Sequence, residues 1–174
     1  MRALRPAIIL PPMNPALLLA SALALVSEGS AAPDFTAQDQ SGHTVHLAAL
    51  RGKPVVLYFY PKDETHGCTI EARGFRDTQP DFDKVGAVVL GVSSQDAKSH
   101  GEFARLEKLG FSLLDDHDRK IANAYDVGQI VPLTGLDSRV TFLIDRQGVV
   151  RKVWPSVDPG KHPKEVLDAI NALK

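Results

Sequence analysis

Cys68 is the only cysteine among the 174 residues, and it ends the polar segment Pro61-Lys62-Asp63-Glu64-Thr65-His66-Gly67-Cys68. A lone thiol cannot close an intramolecular disulfide, but as a thiolate it can act as a nucleophile. The segment follows the apolar, aromatic run of residues 55–60, which Pro61 interrupts. Thr65 reads as a helix N-cap, and Glu71, Ala72, Arg73 and Phe75 can continue a helix behind it. Cys68 then falls in the first turn, where backbone N–H groups lack partners and the dipole is positive. That field favours thiolate over thiol. The polar approach through Lys62, Asp63, Glu64 and His66 predicts an accessible sulfur. The competing reading is a small buried hydrophobe without chemistry, the common fate of a free cysteine.

The elements that must hold this thiol are legible as alternating strands and helices. Phe35 and the alternation around Thr44, Val45, His46 and Leu47 suggest short edge strands, with Ser41-Gly42 turning between them. Residues 55–60 and 85–92 are near-continuous apolar runs, as expected of strands covered on both faces. The Cys68 helix lies between them and is expected to end before Pro80. In one sheet that strand–helix–strand unit is parallel and right-handed. Phe103, Leu106 and Leu109 fall at helical spacing over residues 98–109, with Gly110 as the stop. A strand is expected over 111–114 and a short helix over 119–125. Strands over 140–144 and 149–154 are joined by Asp145-Arg146-Gln147-Gly148. Val166, Ala169, Ile170 and Leu173 stripe a last helix. The pattern predicts an α/β (α+β) sandwich of thioredoxin type, a central mixed sheet flanked by helices.

Composition narrows the function. Hydrophobic residues make up 44% and charged residues 24%, ordinary for a soluble globular chain with one domain's worth of core. A formal net charge of −1 and 6% aromatics give no field or stacking surface for nucleic acid. One cysteine rules out a multi-thiolate zinc site, and the 6 histidines are scattered. Asp115-Asp116-His117-Asp118 reads as a solvated loop because it lacks the glycine-centred pattern of a calcium loop. At the amino terminus, Arg2 and Arg5 precede an apolar stretch over 16–26, followed by small residues at Gly29, Ser30, Ala31 and Ala32. That pattern is expected of an export signal over residues 1–31, with a disordered extension as the alternative, and a domain over 32–174. Export predicts a periplasmic or secreted protein, and its absence a cytoplasmic one.

Tyr58-Phe59-Tyr60-Pro61-Lys62-Asp63, followed by Thr65, Gly67, Cys68, Thr69, Glu71, Ala72 and Phe75-Arg76-Asp77, resembles the peroxiredoxins. The branch it resembles is the Q type, also called bacterioferritin comigratory protein. Ala32-Pro33-Asp34-Phe35-Thr36, Arg51-Gly52-Lys53 and Arg139-Val140-Thr141-Phe142-Leu143-Ile144-Asp145 fit the same branch, so the resemblance runs from about residue 31 to the carboxyl terminus. It implies that Cys68 is the peroxidatic cysteine, that Pro61 shields it from water, that Thr65 hydrogen-bonds the peroxide and that Arg139 sits beside the thiolate. It implies no cofactor and no metal.

Two positions depart from the branch. Arg73 stands where many Q-type members carry a resolving cysteine, so the resemblance implies a one-cysteine cycle whose sulfenic acid is reduced by an outside thiol: thioredoxin, glutaredoxin or glutathione. His66 stands where proline is usual, and is expected to face solvent. The function implied is reduction of hydrogen peroxide and organic hydroperoxides by a monomer with no stable membrane insertion. The alternative is a peroxide sensor or redox relay that forms mixed disulfides with partner proteins.

Overall fold

The computed structural model of the chain describes residues 25–173. Five strands form one sheet in the order β5-β4-β3-β6-β7. They are β3 (Val55–Phe59), β4 (Val88–Ser93), β5 (Ser112–Asp115), β6 (Val140–Ile144) and β7 (Val150–Trp154). β1 (Thr36–Gln38) and β2 (Thr44–His46) form a separate antiparallel ribbon. The helices are α1 (His66–Lys84), α2 (Ala97–Glu107), α3 (Lys120–Ala124) and α4 (His162–Ala172). β3 runs parallel to β4, and β4 to β5, while β6 and β7 run antiparallel to their neighbours. This is the mixed sheet with flanking helices that the sequence predicts, a thioredoxin-like architecture.

β3 lies at the centre and all five of its residues are buried. Successive side chains of a strand point to opposite faces, so this run divides the core in two. Val55, Leu57 and Phe59 pack with Leu90, Val92, Tyr125, Phe142 and Ile144 on one face. Val56, Tyr58 and Tyr60 pack on the other with residues of α1, α2 and α4, including Cys68, Phe75, Phe103 and Val166. The candidate nucleophile therefore belongs to the second layer.

α1 does not stop before Pro80 as expected; it continues to Lys84. Pro80 has no N–H to give, a loss of about 3 kcal/mol in a helix interior. Beyond it, Phe82 is fully buried and its ring lies 5.9 Å from that of Phe75. Burial of a phenylalanine returns about 1.5–3 kcal/mol, which offsets the break. α2 also ends differently. Lys108, at φ 54, takes the left-handed cap position that the sequence assigns to Gly110.

The expected leader over residues 1–31 lies largely outside the described residues. Its last part is described and packs against the sheet: Gly29 N–H donates to Val150 O at 2.7 Å and Val150 N–H to Ser30 O at 2.9 Å. The packed chain thus reaches amino-terminal of residue 32. Among the described residues no helix is long and apolar enough to cross a membrane.

Candidate active site

The site forms where β3 ends and α1 begins. Thr65 has the extended backbone of an N-cap (φ −74, ψ 150), but its hydroxyl makes no capping bond. It donates instead to Lys62 O at 3.2 Å, closing the turn on itself. The first helical bond runs from Thr69 N–H to Thr65 O at 2.9 Å. The N–H groups of His66, Gly67 and Cys68 therefore have no helical acceptor, and the positive end of a 19-residue helix faces the sulfur.

Cys68 is 2% exposed, contrary to the accessible position expected from its polar neighbours. The reason is helical phase. Cys68, Ala72 and Phe75 share the stripe that α1 turns toward Tyr58 and Tyr60. Thr65 and His66 remain exposed and Pro61 and Gly67 half-buried, so the sulfur lies beneath an exposed polar rim.

Arg139 lies 71 positions away in sequence, yet its Nη2 donates to Cys68 Sγ at 3.3 Å. The sheet brings them together. β6 is antiparallel to β3, and Val140 pairs with Phe59, so the residue before β6 stands beside the loop after β3. Gly67 leaves room for the guanidinium, since a Cβ there would come within 3.3 Å of Nη2. Arg139 Nη1 donates to Glu71 Oε2. Burial works against the charge of Arg139, but Glu71 and Cys68 outweigh it and hold its pKa above the usual value.

Glu71 is fully buried. Burial lifts its carboxyl from 4.5 to about 7, only partly countered by Arg139. Its Oε1 has no partner. The sequence signal for this residue is its spacing: Glu71 follows Cys68 by three, so both project from one face of α1. His162 at the start of α4 also borders the site. Its Nε2 meets Thr141 Oγ1 at 2.8 Å, and burial followed by the Arg139 charge pushes its pKa down to about 4.

The loop carrying Pro61 and Thr65 is anchored from within. Asp63 is 5% exposed. Tyr60 donates to Asp63 Oδ1 at 2.7 Å, Ser99 Oγ donates to Oδ2 at 2.6 Å, and His100 Nδ1 lies 2.9 Å from Oδ2. Burial pushes the Asp63 carboxyl up, but His100, Ser99 and Tyr60 together hold it below the usual range.

A thiol and a guanidinium in contact at a helix amino terminus, on a thioredoxin-like sheet, match a known constellation. The AhpC/TSA family model matches residues 29–153. Peroxiredoxin Q, chloroplastic, of Suaeda salsa is 44% identical over 164 residues, covering 94% of this chain and 76% of that one. The chain belongs to the AhpC/TSA family, in its peroxiredoxin Q branch. The bacterioferritin comigratory protein of Xanthomonas campestris, a protein with alkyl peroxide reduction activity, is 36% identical with a TM-score of 0.74, over 79% of this chain and 90% of that one. The yeast mitochondrial 1-Cys peroxiredoxin, whose thiol is resolved through glutathione/thioredoxin systems, is 28% identical with a TM-score of 0.74, over 86% and 76% of the two chains.

Of the four positions named from the family resemblance, Cys68 and Arg139 touch in this peroxiredoxin, while Pro61 and Thr65 lie on the loop leading into α1. Arg73, at the position of the resolving cysteine, is bound to Glu107 of α2 through Nε at 2.5 Å and Nη2 at 3.2 Å. His66 is exposed. The Asp115–Asp118 stretch is less solvated than expected. Asp116 is 1% exposed and accepts from Ile121 N–H at 2.9 Å and Ala122 N–H at 2.8 Å, fixing the start of α3. Among the described residues no group of three His, Cys, Asp or Glu converges on a metal position.

Proposed function

We propose that this peroxiredoxin reduces hydrogen peroxide and organic hydroperoxides through a sulfenic acid at Cys68 that an external thiol reduces. The observation that carries the reading is the 3.3 Å contact between Cys68 Sγ and Arg139 Nη2 at the amino terminus of α1. The thiolate attacks the nearer peroxide oxygen along the O–O axis, and the far oxygen leaves as hydroxide or alkoxide. Arg139, a permanent cation with several fixed donors, can hold sulfur and departing oxygen together. The Thr65 hydroxyl spends its proton on Lys62 O, which leaves its lone pairs free to accept from the peroxide O–H. Pro61, half-buried behind β3, limits water at the sulfur.

Since Cys68 is the sole cysteine, the sulfenic acid condenses with a thiol from outside, and a second thiol releases the adduct. Glutathione, glutaredoxin and thioredoxin all supply that chemistry, and the resolution of the yeast 1-Cys relative supports such a route. Action outside the cytosol rests on Arg2, Arg5 and the apolar stretch that follows them in sequence, and a monomer on likeness to the Q branch. The test is peroxide loss in the presence of thiol by wild type and Cys68→Ser. Loss of turnover is expected, and a Ser variant as active as wild type overturns the proposal. A sensor would show single-turnover oxidation with little steady-state turnover.

A further inference from the structure

We propose that Glu71 is the proton store of the catalytic cycle, neutral while Cys68 is a thiolate and ionised once Cys68 is a sulfenic acid. The proposal rests on the peroxidase reading and extends it to a side chain that reading leaves idle. Glu71 is fully buried, gives Oε2 to Arg139 Nη1 and leaves Oε1 without a partner. The same guanidinium donates through Nη2 to Cys68 Sγ. One cation thus faces two acids.

The buried titratable groups around the pair, Tyr58 and His162, add no positive charge. Tyr58 of β3 is kept neutral, because burial and then the Glu71 charge raise its pKa well above the usual value. His162 of α4 is neutral near pH 7, since burial and then Arg139 lower its pKa to about 4. Two anions against one cation would leave an uncompensated charge on buried side chains, since Cys68 and Glu71 are both buried. The two acids therefore share a proton, and the geometry leaves the charge on sulfur: Cys68 Sγ takes Arg139 Nη2 beside the free N–H groups of the first turn of α1, whereas Glu71 Oε1 has no donor.

The cycle then balances. Cys68 thiolate attacks ROOH, the O–O bond breaks, sulfur is oxidised to S–OH and RO⁻ departs. Glu71 loses its proton and RO⁻ gains one, giving ROH. Sulfur is now neutral, and Arg139 pairs with the new Glu71 carboxylate. An external thiol R′SH condenses with S–OH to give S–SR′ and water. A second R′SH displaces Cys68 as thiolate, forming R′SSR′, and the proton released returns to Glu71.

The test is an infrared difference spectrum of the whole protein, reduced against oxidised with one equivalent of hydrogen peroxide at pH 8, above the value of about 7 at which Glu71 titrates opposite Arg139, with intact mass followed in parallel. Wild type is expected to lose one carboxylic-acid band and gain one carboxylate band per Cys68 oxidised. In Glu71→Gln, whose amide oxygen can still accept from Arg139, neither change should occur. Asp137, raised to about 7 by burial and paired with Arg119, provides a carboxyl background that oxidation leaves unchanged. A mass gain of one oxygen with no carboxyl change in wild type overturns the proton store and leaves the peroxidase reading standing. The same change persisting in Glu71→Gln does likewise. If no oxygen is added at all, both fall together.

Discussion

Arg139→Ala tests whether one guanidinium carries two separable loads, balancing Glu71 and activating the sulfur. In wild type the Glu71 carboxyl titrates at about 7 instead of 4.5. Because the folded value is the higher one, this group's contribution to stability is complete below about pH 4.5 and is lost as pH rises through about 7. At about 1.4 kcal/mol per pH unit the loss amounts to about 3 kcal/mol. Without Arg139 the opposing charge is gone, burial acts alone, and the folded value moves higher still. The loss then continues above pH 7, where wild type has already reached its plateau. Removing one partner of a buried ion pair costs about 3–5 kcal/mol when the other stays charged. At pH 8.5 the variant should approach that penalty, and at pH 5, with Glu71 neutral in both proteins, it should lose much less. Asp137, also near 7, is common to both and cancels in the difference. Urea denaturation at the two pH values, followed through the single tryptophan, Trp154, measures this. Peroxide turnover should fall about 10²–10³-fold at either pH, the usual effect of losing a transition-state donor. Arg139→Ala/Glu71→Gln should regain stability at pH 8.5 without regaining turnover. A stability penalty equal at both pH values refutes the electrostatic argument, and turnover restored in the double variant refutes the catalytic one.

Gly67→Ala puts a Cβ 3.3 Å from Arg139 Nη2, and should reduce turnover about tenfold while moving the urea midpoint little. Gly91→Ala, on β4, brings a Cβ to 2.7 Å from Leu113 Cδ2 and 2.8 Å from the Tyr58 hydroxyl; overpacking at such a site should cost about 1–3 kcal/mol, and a midpoint unchanged from wild type would show that the sheet can yield. Asp63→Asn removes the charge and leaves one acceptor oxygen where Tyr60, Ser99 and His100 share two; stability should drop by about 2–4 kcal/mol, and turnover should fall with it as the Pro61–Thr65 loop loosens, so full activity per folded molecule would show that the anchor does not position the loop.

The strands of this fold and the β6–β7 hairpin are readable because their physics is local. The run over 55–60 could bury both faces, and the Asp145–Gly148 turn left β6 and β7 few ways to pair. Helix ends were read less well, because they depend on distant partners. Pro80 signals a stop, and only the buried Phe82 with the Phe75 ring beside it shows why α1 continues. Exposure failed at Cys68 for a related reason. Polar neighbours in sequence describe the rim of the site, whereas the phase of α1 decides which way the thiol points. The anchor at Asp63 was illegible altogether, since its partner His100 lies 37 positions on and in another helix.

The contact that matters most joins residues no local rule connects, and the topology explains why it can still be built reliably. A thiol at the start of a helix needs a cation that does not belong to that helix. β3 delivers the helix at its carboxyl end, and a parallel neighbour such as β4 would present only its own carboxyl end there. An antiparallel neighbour presents its beginning. β6 is that neighbour, so the residue entering it, Arg139, arrives beside the sulfur, with Val140 held in register against Phe59. Glu71 then fixes the guanidinium from the helix side. A one-residue slip of β6 would turn Val140, Phe142 and Ile144 out of the layer they share with Phe59. The apolar burial that sets the sheet register therefore also sets the distance between guanidinium and sulfur, and the chemistry inherits its precision from the core.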